Sequence, residues 1–400
     1  MRRRRTRCAA SMFRTLFAAV FLAALSVTPA VAAPTLTDRA ILPADATAAA
    51  PFAGAPNTEP APAPGARQPV GGFSALLKAP SRGGYLAMPD NGFGTKANSR
   101  SFLLRVYTVK PDWKRGDMRV LGAISLRDPD RKIPFELVNE GTEERYLTGG
   151  DLDVESFRID RRGTLWFGDE FGPFLLHTDA TGKVLEKPIP LPGVRSPDYP
   201  ADYPPSAPAP NLASSNAFEG MAISPDGRTL YPTLEGPLVD DSDKTIRRLY
   251  TFDIAKRRYA GGHRSYRVAD PSHLVSDLTA LDARRFVSLE RDNFQGPAAV
   301  HKKAFVVDTR HGALTKREVL DQLDIGDPAR ISLRGAVRAG DFGLGNLFKM
   351  PYQTIEAVLP VDKGELAIVN DTNFGSTGRN PSLPDYSDFI RVRVPGLGRY

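Results

Sequence analysis

One sequence pattern recurs five times along this 400-residue chain, and it determines which class of fold the chain can adopt. Each copy has a short apolar alternation, a polar turn that usually contains glycine, and a second apolar alternation that reaches an acid. Alternation with a period of two on both sides of a tight turn is typical of a β-hairpin. The copies are "FSALLKAPSRGGYLAMPDNGFG" (73–94), "ESFRIDRRGTLWFGDEFGP" (155–173), "EGMAISPDGRTLYPTLEGP" (219–237), "LTALDARRFVSLERDN" (278–293) and "IEAVLPVDKGELAIVNDTNFG" (355–375). The chain is therefore predicted to be all-β.

Further strand-like segments follow the hairpins, most clearly at 174–191, 248–268 and 303–320. Four strands in each repeat is the plan of a β-propeller blade. We predict a β-propeller of four-stranded blades with five clear repeats, and either five or six blades in all. The last copy ends at "FIRVRVPGL" (389–397) without a fourth strand, so an N-terminal strand near residue 73 is expected to complete it.

The basic charge of the chain is confined to its N-terminus. The formal net charge is +7, but the first 32 residues hold six arginines and no acid, and without them 47 basic residues face 46 acidic ones. A nucleic-acid or anionic-membrane partner is therefore not expected. An apolar run at 16–25 and the small residues Ala30-Val31-Ala32 predict that residues 1–32 are a secretory signal peptide, so the protein is expected to be secreted.

The mature chain is predicted to have two parts. Residues 33–71 are rich in Ala, Pro and Gly, which predicts an extended or disordered spacer, and residues 72–400 form the folded domain. The single cysteine, Cys8, lies in the leader, which excludes disulfides, thiolate catalysis and Cys-ligated zinc from the mature protein. We expect a monomer.

Acids recur at the open ends of the hairpins. A hairpin brings the start of its first strand next to the end of its second, so acids at these positions are neighbours, and five copies around a channel would direct them to one mouth. The set is Asp90, Glu155, Asp169, Glu170, Glu219, Glu235, Asp277, Glu290, Asp292, Glu356 and Asp371. So many carboxylates require a cation or raised pKa values. Oxygen ligands favour Ca²⁺, with Mg²⁺ or Mn²⁺ as alternatives, whereas the structural alternative for any single acid is a cap on backbone N–H groups.

Basic residues near the same ends suit a phosphate-bearing substrate, and Arg291, Lys349 and Arg379 are the candidates. For each of them the alternative is a solvated surface position. The five histidines (177, 263, 273, 301 and 311) lie outside the acidic motifs, so neither a Ser-His-Asp triad nor a His-ligated zinc site is predicted.

Four segments carry a resemblance to a known family: "GGDLDVESFRIDRRGTLWFGDEFGPFL", "NAFEGMAISPDGRTLYPTLEGPL", "SLERDN" and "FKMPYQTIEAVLPVDKGELAIVNDTNFGSTGR". Over about residues 72–396 the chain resembles secreted bacterial phytase-like proteins, the family called esterase-like activity of phytase. The resemblance implies an acidic propeller-type domain, distantly similar to calcium-dependent propeller phytases and alkaline phosphatases. The residues that match its acidic motifs are Glu155, Asp169, Glu170, Glu219, Glu235, Glu290, Arg291, Asp292, Glu356, Asn370 and Asp371. The chain departs from the family pattern at Asp388, where Glu is expected, and at Asn91, where Arg is expected.

The leading hypothesis is a secreted metal-dependent phosphoesterase. Metal ions would neutralise the phosphate and activate a water, while Arg291, Lys349 or Arg379 stabilises the developing charge. Glu219 or Glu235 would be the general base. The alternatives are a calcium-dependent lactonase or carboxylesterase, and a non-catalytic binding propeller whose blades Ca²⁺ holds together.

Overall fold

The regular structure is nearly all β-strand in the computed structural model, which describes residues 32–51, 67–201, 203, 209–311, 313–362 and 364–398. Within those residues the helical segments are two 3₁₀ turns, Gly296–Ala298 and Ile331–Leu333. The first thirteen strands are β1 (Thr35–Leu42), β2 (Thr47–Pro51), β3 (Arg67–Pro69), β4 (Phe73–Lys78), β5 (Tyr85–Pro89), β6 (Arg105–Asp112), β7 (Asp117–Ser125), β8 (Val154–Ile159), β9 (Leu165–Asp169), β10 (Phe174–Thr178), β11 (Ile189–Pro190), β12 (Phe218–Ile223) and β13 (Thr229–Leu234). The others are β14 (Ile246–Leu249), β15 (Phe252–Asp253), β16 (Arg258–Tyr259), β17 (Arg264–Arg267), β18 (Leu274–Ala280), β19 (Arg285–Arg291), β20 (Lys302–His311), β21 (Ala313–Asp321), β22 (Ile325–Gly326), β23 (Leu347–Phe348), β24 (Ile355–Asp362), β25 (Glu365–Asn370) and β26 (Ser387–Arg393). The all-β prediction is confirmed, and the predicted signal peptide lies outside the described residues apart from Ala32.

All five predicted hairpins are present as antiparallel pairs of consecutive strands: β4–β5, β8–β9, β12–β13, β18–β19 and β24–β25. The turn glycines Gly163 and Gly227 have φ of +81° and +66°, in the left-handed region that favours glycine. Further strands extend the hairpins, giving the sheet orders β11-β10-β9-β8 and β18-β19-β20-β21. The period-two alternation and the turn residues therefore predict the hairpins correctly.

The last sheet takes its fourth strand from the N-terminus. β1 runs antiparallel to β26, from Thr35 opposite Arg393 to Leu42 opposite Ser387. The sheet order is β24-β25-β26-β1-β7-β6-β5-β4, so the pairing of β1 with β7 joins the last hairpin and the first in one sheet. The expectation that a strand near residue 73 completes this sheet is wrong, because Phe73 begins the first hairpin. The spacer predicted for 33–71 is also wrong for β1, β2 and β3. The Ala and Pro content averaged over that segment conceals these strands, of which β1 has eight residues. Residues 52–66 of the predicted spacer lie outside the described residues.

Buried charges fasten β1 to the last sheet. Arg39 donates from Nε to Asp388 Oδ1 at 2.8 Å, and the two side chains are 1% and 0% exposed. Asp388 Oδ2 also accepts hydrogen bonds from Arg379 at 2.9 Å and from the Tyr352 hydroxyl at 2.8 Å. Burial favours protonation of Asp388, but the two guanidinium groups outweigh it and lower its pKa. The network therefore remains ionised where β1 joins β26.

The first strands of the five hairpins pack in a closed cycle, with β4 on β8, β8 on β12, β12 on β18, β18 on β24 and β24 on β4. Apolar side chains fill the space between adjacent sheets, as where Met88 packs in one core cluster with Phe157 and Phe167. This arrangement stabilises the fold by burying apolar surface. It also brings the starts of all five first strands around one region of the molecule.

Candidate active site

Each hairpin has a β-bulge near the start of its first strand. The register shifts lie at Phe73/Ala75, Val154/Ser156, Phe218/Gly220, Val275/Asp277 and Ile355/Ala357, so the bulged residues are Ser74, Glu155, Glu219, Ser276 and Glu356. A bulge changes the direction of a side chain without ending the strand. The three bulged glutamates meet: one carboxylate oxygen of each lies within 4.8 Å of the others.

A second set of charged residues lies across the hairpin from the bulges. The residue before each bulge pairs with Pro89, Asp169, Leu234, Glu290 or Asn370 on the second strand. The residues that follow these partners are Asp90, Glu170, Glu235, Arg291 and Asp371. The fourth hairpin therefore presents Arg291 where the others present an acid. The prediction that Glu290 belongs to the acidic site is wrong by one residue.

These residues line a cavity of about 550 Å³. Its acids are Asp90, Asp153, Glu155, Glu170, Glu219, Glu235, Glu356 and Asp371. All eight are buried, and Arg291 is the one cationic side chain among the described lining residues. The structure thus brings together seven of the acids predicted from the sequence, together with Asp153 and one predicted basic residue.

Asp153 was not predicted. It lines the cavity, and one of its oxygens lies within 4.8 Å of oxygens from Asp90 and Glu155. Its Oδ2 accepts a hydrogen bond from Asn91 Nδ2 at 2.8 Å, so the family departure at Asn91 orients an acid of the site. The available signal was the spacing of two residues between Asp153 and Glu155 in "DVE", just before the strand.

Arg291 is held by two of the acids. Its Nη2 donates to Glu235 Oε1 at 2.7 Å and to Glu356 Oε1 at 3.2 Å. Burial alone would lower the pKa of Arg291, but these carboxylates outweigh it and raise the pKa. One guanidinium faces eight carboxylates, so most of their charge has no partner among the described side chains.

Burial and mutual repulsion raise the pKa values of the acids. Burial is the largest cause for Glu155 and Glu219, and neighbouring carboxylates raise their pKa values further, well above the usual range. The same causes raise the pKa of Glu356 to about 8, although Arg291 opposes them. Glu155 Oε2 is also buried and has no hydrogen-bond partner among the described residues. An oxygen-only donor set with an unpaired buried oxygen suits a hard divalent cation.

Two groups of three acids could hold such a cation, and they share Glu155. One consists of Asp90, Asp153 and Glu155, and the other of Glu155, Glu219 and Glu356. Each offers one oxygen per residue within 4.8 Å of the others. The cavity therefore has ligands for one or two ions.

Without divalent cations, the raised pKa of Glu356 makes stability depend on pH. The folded protein keeps the Glu356 proton up to about pH 8, whereas the unfolded chain releases it near 4.5, so stability falls as the pH rises between those values. We expect the Tm of chelator-treated protein to be lower at pH 8 than at pH 6, by an amount that reflects a few kcal/mol. Ca²⁺ should restore the Tm at pH 8. A Tm of the chelator-treated protein that rises from pH 6 to pH 8 would contradict the raised pKa of Glu356. Thermal unfolding followed by circular dichroism measures both.

Three predicted acids cap backbone groups instead of lining the cavity. Asp169 accepts hydrogen bonds from the N–H groups of Asp153 at 2.8 Å and Gly172 at 2.7 Å. Asp292 accepts from the His301 N–H at 2.7 Å and pairs with Lys302. Asp277 pairs with Arg158 and accepts from the Val358 N–H at 2.8 Å. For these three acids, the structure therefore shows the alternative role, which is capping of backbone N–H groups.

Three other predicted residues also lie away from the described lining of the cavity. Glu290 points to the other face of β19, where it contacts Tyr266 and His301, because successive strand residues face opposite sides. Lys349 Nζ lies 6.0 Å from the centre of the Phe342 ring. Arg379 is buried against Asp388. Of the three predicted phosphate-binding residues, the structure brings Arg291 alone to the acids.

A larger cavity of about 830 Å³ lies at the turn ends of the second and third hairpins. Its lining includes the turn acids Asp160 and Asp226. Asp160 accepts hydrogen bonds from the N–H groups of Arg162 and Thr164, and Asp226 accepts from the Ser224 hydroxyl. These acids stabilise turns, so we place the candidate chemistry in the smaller, acidic cavity.

Comparison with known proteins supplies the family. The family model described as phytase-like, with esterase-like activity of phytase, matches residues 68–374, a range that contains all five hairpins. The chain belongs to this phytase-like family. The match confirms the resemblance seen in the sequence, and the phytase-like region includes every acid of the cavity.

One curated relative of this phytase-like chain is an uncharacterized secreted protein of Arthroderma benhamiae, 26% identical over 190 residues. The alignment covers 38% of this chain and 36% of the relative, so the chain spans about a third of the relative's length. In the part of the chain that the structure describes, no helix is both long enough and apolar enough to cross a membrane.

Solved structures give distant matches to the phytase-like chain. They include a GH43 β-1,3-galactosidase, with 10% identity, coverage of 85% of this chain and 58% of that one, and a TM-score of 0.43. An exo-β-1,3-galactanase from Clostridium thermocellum has 9% identity, coverage of 86% and 62%, and a TM-score of 0.41. The PQQ-bound aldose sugar dehydrogenase of Streptomyces coelicolor has 13% identity, coverage of 82% and 85%, and a TM-score of 0.36. Overlap at this level does not indicate a shared activity.

Proposed function

We propose that this protein is a secreted hydrolase of phosphate esters. It uses a divalent cation bound in the acidic cavity, and Ca²⁺ is the first candidate for this cation. The observation that carries the proposal is the meeting of eight buried carboxylates and one guanidinium in a chain of the phytase-like family. A negatively charged phosphate cannot approach those carboxylates until cations neutralise them. Export is supported by the predicted signal peptide and by the relative described as secreted.

The proposal includes a five-bladed propeller. The closed cycle of five first strands supports it, as do the four-stranded sheets β8 to β11 and β18 to β21. The sheet that joins the last and first hairpins divides at β1 and β7 into two further runs of four strands, β24-β25-β26-β1 and β7-β6-β5-β4. In this arrangement the fifth blade takes its fourth strand from the N-terminus. The bulges would then direct the side chains of Glu155, Glu219 and Glu356 to one end of the central channel.

The contacts of the cavity residues indicate which of them bind the cation and which shape the cavity. Glu155, Glu219 and Glu356 form one proposed cation site, and Asp90 and Asp153 extend it through Glu155. Cations bound there would neutralise the phosphate charge and lower the pKa of a bound water. Glu170 and Asp371 accept hydrogen bonds from the Ala217 and Asn373 N–H groups, so they shape the wall of the cavity.

Arg291 and Glu235 have the two remaining proposed roles, phosphate binding and proton transfer. Arg291 binds the phosphate oxygens, and it has a buried Nε that makes no hydrogen bond with any described residue. Glu235 and Glu356 orient its guanidinium. Glu235 lies outside both three-acid groups and pairs with Arg291, so we assign it as the general base that takes a proton from the attacking water.

Hydrolysis of two model esters tests the proposal. Residues Ala33–Tyr400 form one compact unit, so the mature chain is assayed on p-nitrophenyl phosphate and p-nitrophenyl acetate with Ca²⁺, with EDTA, and with Ca²⁺ restored. We expect phosphate hydrolysis that EDTA abolishes and Ca²⁺ restores. Cleavage of the acetate that inorganic phosphate does not inhibit would instead indicate a carboxylesterase or lactonase. No cleavage of either ester, with a Tm that Ca²⁺ still raises, would indicate a binding protein.

A further inference from the structure

Two histidines and a glutamate meet outside the acidic cavity. His273 precedes β18, Glu290 lies near the end of β19, and His301 immediately precedes β20. One ligand atom of each residue lies within 4.8 Å of the others. Glu290 is 0% exposed and His301 is 9% exposed, so these two members lie below the surface, while His273 is partly exposed.

The carboxylate of this group is held in place by its neighbours. Glu290 Oε1 accepts hydrogen bonds from the Tyr266 hydroxyl and from Lys316 Nζ. Its other oxygen, Oε2, lies 3.4 Å from His301 Nε2. Metal-binding carboxylates are commonly oriented by such outer partners, which leave one oxygen for the ion.

The His273 ring has an unpaired nitrogen. Its Nδ1 is buried and makes no hydrogen bond with any described residue, which is costly for a polar atom. The ring stacks on that of His301, with centroids 3.6 Å apart and planes at 14°. His273 is only partly buried, so its ring has room to turn.

We propose that His273, Glu290 and His301 bind a zinc ion. Imidazole nitrogens and carboxylate oxygens are common ligands of Zn²⁺, with bond lengths of about 2.0–2.2 Å. At the tetrahedral angle, such bond lengths place two neighbouring donor atoms about 3.4 Å apart. The separation of Glu290 Oε2 and His301 Nε2 has this value. The lone pair of each ring nitrogen lies in the plane of its ring, and two parallel planes share no point at which one ion could lie. Zinc binding therefore requires the His273 ring to turn out of the stack. Water takes the fourth position.

The site differs from the acidic cavity in chemistry and adjoins it in space. The cavity offers oxygen ligands, which favour Ca²⁺ or Mg²⁺, whereas imidazole favours zinc. Ser272 and Leu274, on either side of His273, line the cavity, and Arg291 follows Glu290. Zinc would thus fasten the cavity wall that carries Arg291, and this inference does not rest on the phosphoesterase proposal.

Zinc titration of the metal-free mature protein tests the site. The titration is followed by calorimetry and Tm in saturating Ca²⁺, so that the acidic cavity is filled. We expect one Zn²⁺ to bind, and the Tm to rise by about 5 °C at high occupancy. Co²⁺ in place of Zn²⁺ should give the visible absorption bands of a four-coordinate ion.

Matched variants locate the site. His273→Gln and His301→Gln should each weaken zinc binding at least about tenfold. Two controls should bind zinc as the unaltered protein does: His263→Gln, at an exposed histidine, and Glu219→Gln, in the acidic cavity. Absence of zinc uptake in saturating Ca²⁺ would overturn the proposal, as would uptake unchanged by His273→Gln. Because His273 is partly exposed, that variant remains informative even where His301→Gln does not fold.

Discussion

Replacement of Glu219 by Gln is expected to lower the proposed Ca²⁺-dependent phosphatase activity by roughly 100-fold or more. Substitution of residues that merely orient metal ligands costs about 10–100-fold, so removal of a ligand charge should cost at least that much. Gln keeps the size of the side chain but removes the charge that attracts the cation. Glu219 is buried among Glu155, Glu356 and Glu235, and burial and these acids raise its pKa. Gln is neutral without binding a proton, so the variant should also gain stability in chelator at neutral pH. Steady-state kinetics and thermal unfolding, each with and without Ca²⁺, measure the two effects.

The matched control lies at the other end of the same hairpin. Asp226 is exposed in the turn between β12 and β13 and accepts a hydrogen bond from the Ser224 hydroxyl. Asp226→Asn should leave both the activity and the Ca²⁺ dependence of the Tm unchanged. If Glu219→Gln behaves like this control, the acidic cavity is not the catalytic site, whatever the activity of the unaltered protein.

Replacement of Arg39 by Met should destabilise the fold by about 3–5 kcal/mol, because it leaves part of a buried ionic network without its partner. Arg39 pairs with Asp388 at 2.8 Å and donates to the Ser332 carbonyl at 2.6 Å and the Tyr386 hydroxyl at 2.8 Å. Methionine retains most of the apolar stem, so the measured loss reports chiefly the charge and its hydrogen bonds. Urea unfolding in saturating Ca²⁺ measures the change in the free energy of unfolding.

An exposed arginine of the same ladder is the control for this variant. Arg393 lies on β26 opposite Thr35, is 61% exposed, and pairs with Glu365. Glu365 is buried but keeps a second cationic partner in Arg391, and the Arg393 side chain lies largely in solvent. Arg393→Met should therefore change stability by less than about 1 kcal/mol. Equal losses in the two variants would show that β1 is not fastened by its buried charges.

The hairpins were predictable because both of their signals are local. Alternation of apolar residues and turn residues such as Gly163 and Gly227 occur within about twenty positions of each other. The closing strand was not predictable in the same way. β1 lies beside Ala- and Pro-rich sequence and depends on a partner strand near the other end of the chain.

The acids of the cavity were predictable as a set but not one by one. Glu155, Glu219 and Glu356 occupy equivalent positions in their hairpins, and this repetition indicates a shared site. In "LERDN", however, three consecutive charged residues offer three choices, and the bulge register, which the letters do not reveal, selects Arg291 over Glu290.

The histidine group was missed for a different reason. His273, Glu290 and His301 come from three separate segments, and no spacing motif links them. Only the pairing of β18, β19 and β20 brings them together. Pairwise proximity of this kind follows from the folded sheet and not from any local pattern.

The pairing of β1 with β26 also affects how the protein is made. Arg39 and Asp388 are 349 residues apart in sequence, so β1 leaves the ribosome long before its partner strand exists. Contacts of such high sequence separation form slowly, and an unpaired strand edge is prone to associate with other chains. During synthesis, β1 therefore needs protection, by a chaperone or by delayed folding, until the C-terminal strands emerge. Completion of the last sheet is then a late step in the formation of the stable folded protein.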